Sequence, residues 1–217
     1  GGYFLPKCPG YCGEYLGLTG KVLNGSEALA ADLADRAINS DNLQDYWDSL
    51  TNNEMMSVDQ RISRLHSVID DSRLPEDDNW LNPEIDEIFS FDTPSEILRE
   101  LGKSISPWAK ETSKLLHKRS PLMLHVSLRQ IKLGRHMSLA DELRLERTLV
   151  QHCFYTNHLR RAGAQTETVE GIRALAIDKD HSPTWNPARI EDVTKSMVDP
   201  FFESPWLEDE HPLADLT

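Results

Sequence analysis

From Thr93 onward the chain is cut at short intervals by helix-start signals: Thr93-Pro94-Ser95-Glu96, Pro107, Ser120-Pro121 and Ser138. A hydroxyl at such a position accepts backbone N–H groups that a helix start leaves unpaired. Proline suits the first turn because its φ is already near helical and it has no N–H to lose. Apolar residues follow at helical spacing, Trp108, Thr112, Leu115 and Leu116 after Pro107, then Leu139, Leu143, Leu145, Leu149, Val150 and Cys153 after Ser138. Asp141 and Glu142 sit favourably at the positive end of that last helix. The run opened by Ser120-Pro121 stops at Gly134. No convincing sheet can be assembled beside these segments, so the chain reads as mainly α, with roughly seven or eight helices.

The first half is less regular. Gly and Pro punctuate residues 1–13, which predicts a turn, and Glu14 to Gly20 reads as a short helix with a glycine stop. Ser26 is a candidate cap for an alanine-rich helix, and Leu33 to Ile38 is expected to run out as a short strand. Residues 40–70 read as a helix pair. Leu43, Tyr46, Trp47 and Leu50 form one face and Val58, Ile62, Leu65 and Ile69 another, broken at Asn52-Asn53 or Ser57. From 70 to 92 acids such as Asp70, Asp71, Asp77 and Asp78 face the single base Arg73, the composition of an exposed linker. Ile85, Ile88 and Phe89 inside it suit one or two helical turns. The expected division is therefore 1–69, the acidic linker 70–92, a helical domain 93–202, and an acidic tail 203–217 lying extended or partly disordered.

Charge and cysteine content narrow the function classes. Against 23 Lys and Arg stand 36 Asp and Glu, a formal charge of −13 in 217 residues. Such a surface repels phosphate backbones and anionic membranes, so direct nucleic-acid binding is disfavoured. No apolar run approaches the ~20 residues that a membrane helix needs. Cys8, Cys12 and Cys153 are too few for a disulfide scaffold, and Cys8 and Cys12 lack a second pair to complete a metal site.

No nucleophile elbow, phosphate loop or dinucleotide fingerprint occurs. His117, His125, His136, His152 and His158 fall on amphipathic helices with no nucleophile motif beside them. Glu142 and Glu146 stand one turn apart, but Arg144 and Arg147 interleave them, which predicts a solvated, ion-paired face rather than an acid–base pair. Lys114, His117, Lys118, Arg119, Arg129, Lys132 and Arg135 form a local basic cluster that could meet phosphates or balance the acidic loop. The segment EGIRALAIDKDHSPTWNP ends a helix in Asp178-Lys179-Asp180 and then turns through Pro183, Trp185 and Pro187. That is either a structural clamp anchored by Trp185 or a device aiming Lys179 at a phosphate.

The segments GGYFLPKCPGYCGEYLGLTG (with the alanine-rich stretch up to 38), RSPLMLHVSLRQIKLGRHMSLADELRLE and EGIRALAIDKDHSPTWNP resemble the 3-hydroxyisobutyryl-CoA hydrolase branch of the crotonase superfamily. The resemblance covers residues 1–38 and about 93–202. It implies the helical C-terminal portion of an α/β crotonase-type (ClpP/crotonase-like) spiral fold, with the N-terminal half of the same fold missing from this chain. It also implies hydrolysis of an acyl-CoA thioester, with acyl-CoA as substrate, no cofactor, a mitochondrial matrix address (cytoplasmic if bacterial) and a possible homo-oligomer. The family's oxyanion-hole donors and acids lie before the Gly-Gly turn, so no catalytic residue carries over. Lys179 becomes the candidate contact for CoA, and Gly1, Gly2 and Phe4 the pocket wall. A hydratase or isomerase of the same superfamily is the first alternative; a catalytically inactive crotonase-like subunit of the mitochondrial ribosome is the second.

Overall fold

The computed structural model describes residues 1–51, 56–68 and 82–217, and among these it contains helices and turns but no strand. Its contacts divide the chain into two units, residues 22–82 and residues 1–21 with 83–217. These boundaries differ from those the composition predicts. Packing decides them: the first helix belongs with the second half of the chain, far away in sequence.

In the larger unit, α1 (Cys12–Thr19) ends at Gly20, whose φ of +65° supplies the left-handed cap. It packs on α8 (Pro121–Gly134), α5 (Glu84–Phe89) and α7 (Pro107–Leu116). Tyr15, Phe89 and Trp108 meet there, with ring centroids 5.3 to 6.4 Å apart. Glu14, fully buried, receives two hydrogen bonds of 2.7 and 2.8 Å from Arg135, which also donates to the carbonyls of Pro6 and Gly10. This one guanidinium therefore neutralises a buried charge and pins the N-terminal turn. Gly13 and Gly134 let backbones meet, since a side chain at either would stand about 2 Å from the carbonyl of Leu5 or Gly2.

α6 (Pro94–Lys103), α7, α8 and α9 (Leu139–Phe154) start where the hydroxyl and proline signals predict. Thr93 forms a reciprocal capping box with Glu96, and Ser106, Ser120 and Ser138 cap the other three. Leu122, Val126, Leu149, Val198 and Phe201 close a second core between α8, α9 and the following turns.

Several expectations need correction. Inside the expected linker 70–92, Ile85, Ile88 and Phe89 do form helical turns, in α5, but they are buried rather than exposed, while residues 70–81 lie outside the described residues. The tail is neither extended nor disordered. Arg144 of α9 gathers the carbonyls of Leu213, Ala214 and Leu216, and Arg147 lies 4.8 Å over the Trp206 ring. The acidic composition hid this docking because the Arg144 contacts use tail backbone carbonyls, which every sequence has.

In the smaller unit, α2 (Gly25–Ala30) is capped by Asn24, not Ser26, through a reciprocal box with Glu27. Leu33 to Ile38 forms no strand, because no partner strand exists among the described residues. α3 (Leu43–Thr51) packs against α4 (Val58–Val68), which Ser57 and Gln60 cap reciprocally. Asn52-Asn53 lies outside the described residues.

Candidate functional site

An open, mainly apolar cleft of about 720 Å³ lies within the larger unit. The end of α1 forms one side (Gly17, Leu18, Gly20). The corner from α7 into α8 forms the floor (Lys118, Arg119, Ser120, Met123). The opposite wall is α10 (Glu167–Ile172), which widens into a π-helical stretch (Arg173–Ile177) contributing Ala174 and Leu175. Wider turns of this kind recur at functional sites. Ile172, Leu175 and Ile177 are 45, 67 and 68 % exposed, an unusual density of large apolar side chains in water.

Polar groups hold this wall to the floor. Glu167 accepts a short hydrogen bond from the Ser120 hydroxyl and one of 2.9 Å from the Asn186 N–H, with Arg161 3.6 Å away. Burial raises its pKa above the ordinary carboxyl value, opposed by the Ser120 hydrogen bond. Trp185, half-buried in the cleft, donates its indole N–H to the Lys118 carbonyl at 3.0 Å.

The Asp178-Lys179-Asp180 turn is a hook built on Arg173. The guanidinium reaches Asp178 and Asp180 at 2.7 Å each and Glu170 at 2.8 Å, and also meets the Ser182 carbonyl. The Arg173 hydrogen bonds lower the Glu170 pKa to about 2. This geometry holds Lys179 and His181 at φ of +55° and +53°, a left-handed conformation that side-chain-bearing residues adopt at a cost of order 1 kcal/mol. Both acids of the motif thus serve the clamp, and Lys179 stands exposed at its tip, outside the cleft lining.

Gly1, Gly2 and Phe4 also lie outside that lining. The Gly2 N–H donates to Glu146 at 3.0 Å, and Phe4 is exposed and edge-on to Tyr3. The neighbouring carboxylates correct an expectation: Glu142 is 1 % exposed and takes a 2.8 Å hydrogen bond from Gln130, so this is no solvated face. Burial raises its pKa. Arg144 pairs instead with Asp141 at 2.9 Å. Helical spacing placed the charges one turn apart, but α9 turns Glu142 inward, toward α8 and the Gly-Gly turn.

The basic cluster disperses. Arg135 serves Glu14, Arg129 pairs with Asp199 and Lys132 with Asp92, which leaves Lys118 and Arg119 at the cleft. Arg119 donates to the Thr19 carbonyl. Burial lowers the His125 pKa, and the sequence sets no nucleophile motif beside it. Cys8 and Cys12 are buried thiols, and their mutual hydrogen bond, helped by burial, pushes the Cys12 thiol far up, the opposite of a reactive cysteine. Among the described residues no three His, Cys, Asp or Glu converge as a metal site, and no helix is long and apolar enough to cross a membrane. Sequence reasoning missed Glu167 and Ser120 as a pair. An acid at a helix start is ordinary, and only the folded chain brings it to a second helix's cap.

Residues 1–202 match the enoyl-CoA hydratase/isomerase family. The chain is 37 % identical to probable 3-hydroxyisobutyryl-CoA hydrolase 2 of Arabidopsis thaliana over 99 % of its own length and 56 % of the relative's. It is 33 % identical to the mitochondrial 3-hydroxyisobutyryl-CoA hydrolase of Rattus norvegicus over 94 % of this chain and 52 % of that one. To small ribosomal subunit protein mS47 of Arabidopsis thaliana it is 34 % identical, over 92 % and 49 %. The chain therefore spans about half the length of the curated relatives it matches. A solved carnitinyl-CoA dehydratase from Mycobacterium thermoresistibile shares the fold with a TM-score of 0.78, at 24 % identity, over 98 % of this chain and 56 % of that one.

Proposed function

The chain belongs to the enoyl-CoA hydratase/isomerase family, and from that premise we propose that it is the helical C-terminal, substrate-covering portion of an enzyme that hydrolyses 3-hydroxyisobutyryl-CoA. The observation that carries this reading is the cleft: an apolar wall with a half-buried indole and two cationic residues on its floor. Apolar lining suits an acyl-pantetheine arm, and cations suit its phosphates. In this reading Lys179 at the hook tip meets the CoA phosphates, and Gly1, Gly2 and Phe4 continue the pocket wall.

Thioester hydrolysis consumes water and needs no cofactor. It requires preorganised N–H donors for the developing oxyanion and a carboxylate to activate water. The resemblance puts both in the N-terminal half of the crotonase-type spiral. Residues 1–217 then act by binding, orienting and shielding the substrate, in the mitochondrial matrix, as a monomer or homo-oligomer. The test is free-CoA release from 3-hydroxyisobutyryl-CoA. The full protein should release it and the 217-residue chain alone should not; a full protein that releases none overturns the reading. The similarity to mS47 favours a second reading, a structural subunit without the chemistry. An inactive full protein that sediments with ribosomal particles would establish that reading.

A further inference from the structure

The cleft wall is held by two bonds from one corner of the fold. At the passage from α7 to α8, Lys118 binds the loop residue Trp185 and Ser120 binds Glu167, the first residue of α10, which in turn holds the next loop residue, Asn186. The Lys118 carbonyl takes the Trp185 indole N–H at 3.0 Å, and the Ser120 hydroxyl is tied to Glu167, whose other oxygen takes the Asn186 N–H at 2.9 Å. Ser120 is committed a second time, since its oxygen caps α8 through the Met123 N–H at 3.2 Å. Glu167 and Ser120 are 8 and 7 % exposed, so water competes little for these bonds. Beyond them the wall carries the exposed Ile172 and Leu175.

We propose that Glu167 is a positioning residue: its carboxylate, latched to Ser120 and Asn186, sets the separation of the α10 wall from the cleft floor and thereby the affinity for acyl-CoA. Both of its oxygens are already engaged, so it acts through the wall rather than by touching substrate. Four groups face it: Ser120 from α8, Asn186 from the Trp185 loop, Arg161 from the preceding turn and Glu170 one turn along α10. Arg161 also donates to the Asn186 carbonyl, so the cation braces the same loop residue that the carboxylate holds. Loss of the negative charge therefore loosens both strands of the latch. The raised pKa of Glu167 brings its protonation closer to neutrality and gives the latch a pH-dependent signature.

The substrate here rests on the function proposed above, so the test needs two readouts in the full protein. The first is kinetics with 3-hydroxyisobutyryl-CoA. Glu167→Ala should raise KM about tenfold, the worth of one or two buried hydrogen bonds, and change kcat less than about twofold. Glu167→Gln, which keeps the shape and loses the charge, should fall between. The second is the fluorine spectrum of protein labelled with 5-fluorotryptophan, the Trp185 line being assigned with Trp185→Phe. That line should move as pH falls through the Glu167 titration, and the movement should vanish in Glu167→Gln. A wild type that releases no CoA overturns the functional reading and leaves the fluorine line to judge the latch. An active wild type with an unaltered KM in Glu167→Ala overturns the latch, as does a Trp185 line indifferent to both variants.

Discussion

The contact between α1 and α8 and the wall formed by α10 lie in the same unit and are built in opposite ways. Around α1 every strong group is spent inward. Glu14 is buried under Arg135, and Tyr15 and Phe89 are enclosed. On the α10 wall the polar groups are spent on shape, in the Arg173 hook and the Glu167 latch, while the apolar side chains of Leu175 and Ile177 are left in water. One region gains stability from burial. The other has paired its charges so that an apolar surface can be presented at a fixed angle.

Removing Arg135 should separate the two regions most sharply. Arg135→Ala strands a buried carboxylate and is expected to cost about 3–5 kcal/mol in urea unfolding. Phe89→Ala, in the same core, should cost about 3–5 kcal/mol through lost burial and the cavity left behind, toward the lower end because neighbouring rings can relax. If either proves neutral, the inward-spent description fails.

A smaller effect is expected from the buried carboxyls. Burial raises the pKa of Glu142 and of Glu167 in the folded state above the ordinary value kept on unfolding. Between those values the folded protein holds more protons, so stability should fall as pH rises through that window. Glu142→Gln should remove part of the slope, measured by urea midpoints across pH, and Glu142→Gln with Glu167→Gln should remove more. The smallest change should come from the wall itself: Leu175→Asn should leave the urea midpoint within about 0.5 kcal/mol of wild type. A large loss of stability there would show that the wall is core, and the contrast between the two regions would dissolve.

Much of the helical scaffold was legible before folding. The starts at Thr93, Ser120 and Ser138, and the stop at Gly20, follow from local hydrogen-bonding needs that a few adjacent residues satisfy. The first cap in the smaller unit was not, because Asn24 and Ser26 are both competent and only the reciprocal bond with Glu27 chooses between them. The site was legible as a segment and not as a mechanism. EGIRALAIDKDHSPTWNP stands out by composition, yet that Arg173 ties its acids, and that Lys179 rides outside the cleft, depends on how the hook closes.

By itself the sequence determined most of the helices, the caps at Thr93, Ser120 and Ser138, and the family to which the chain belongs, since these are written in residue types a few positions apart. The tertiary structure alone decided which charges are buried. Glu14, Glu142 and Glu167 look like any other acids in an acidic chain, and whether a carboxylate meets water, an arginine or another helix's cap is settled by partners 121, 12 and 47 residues away.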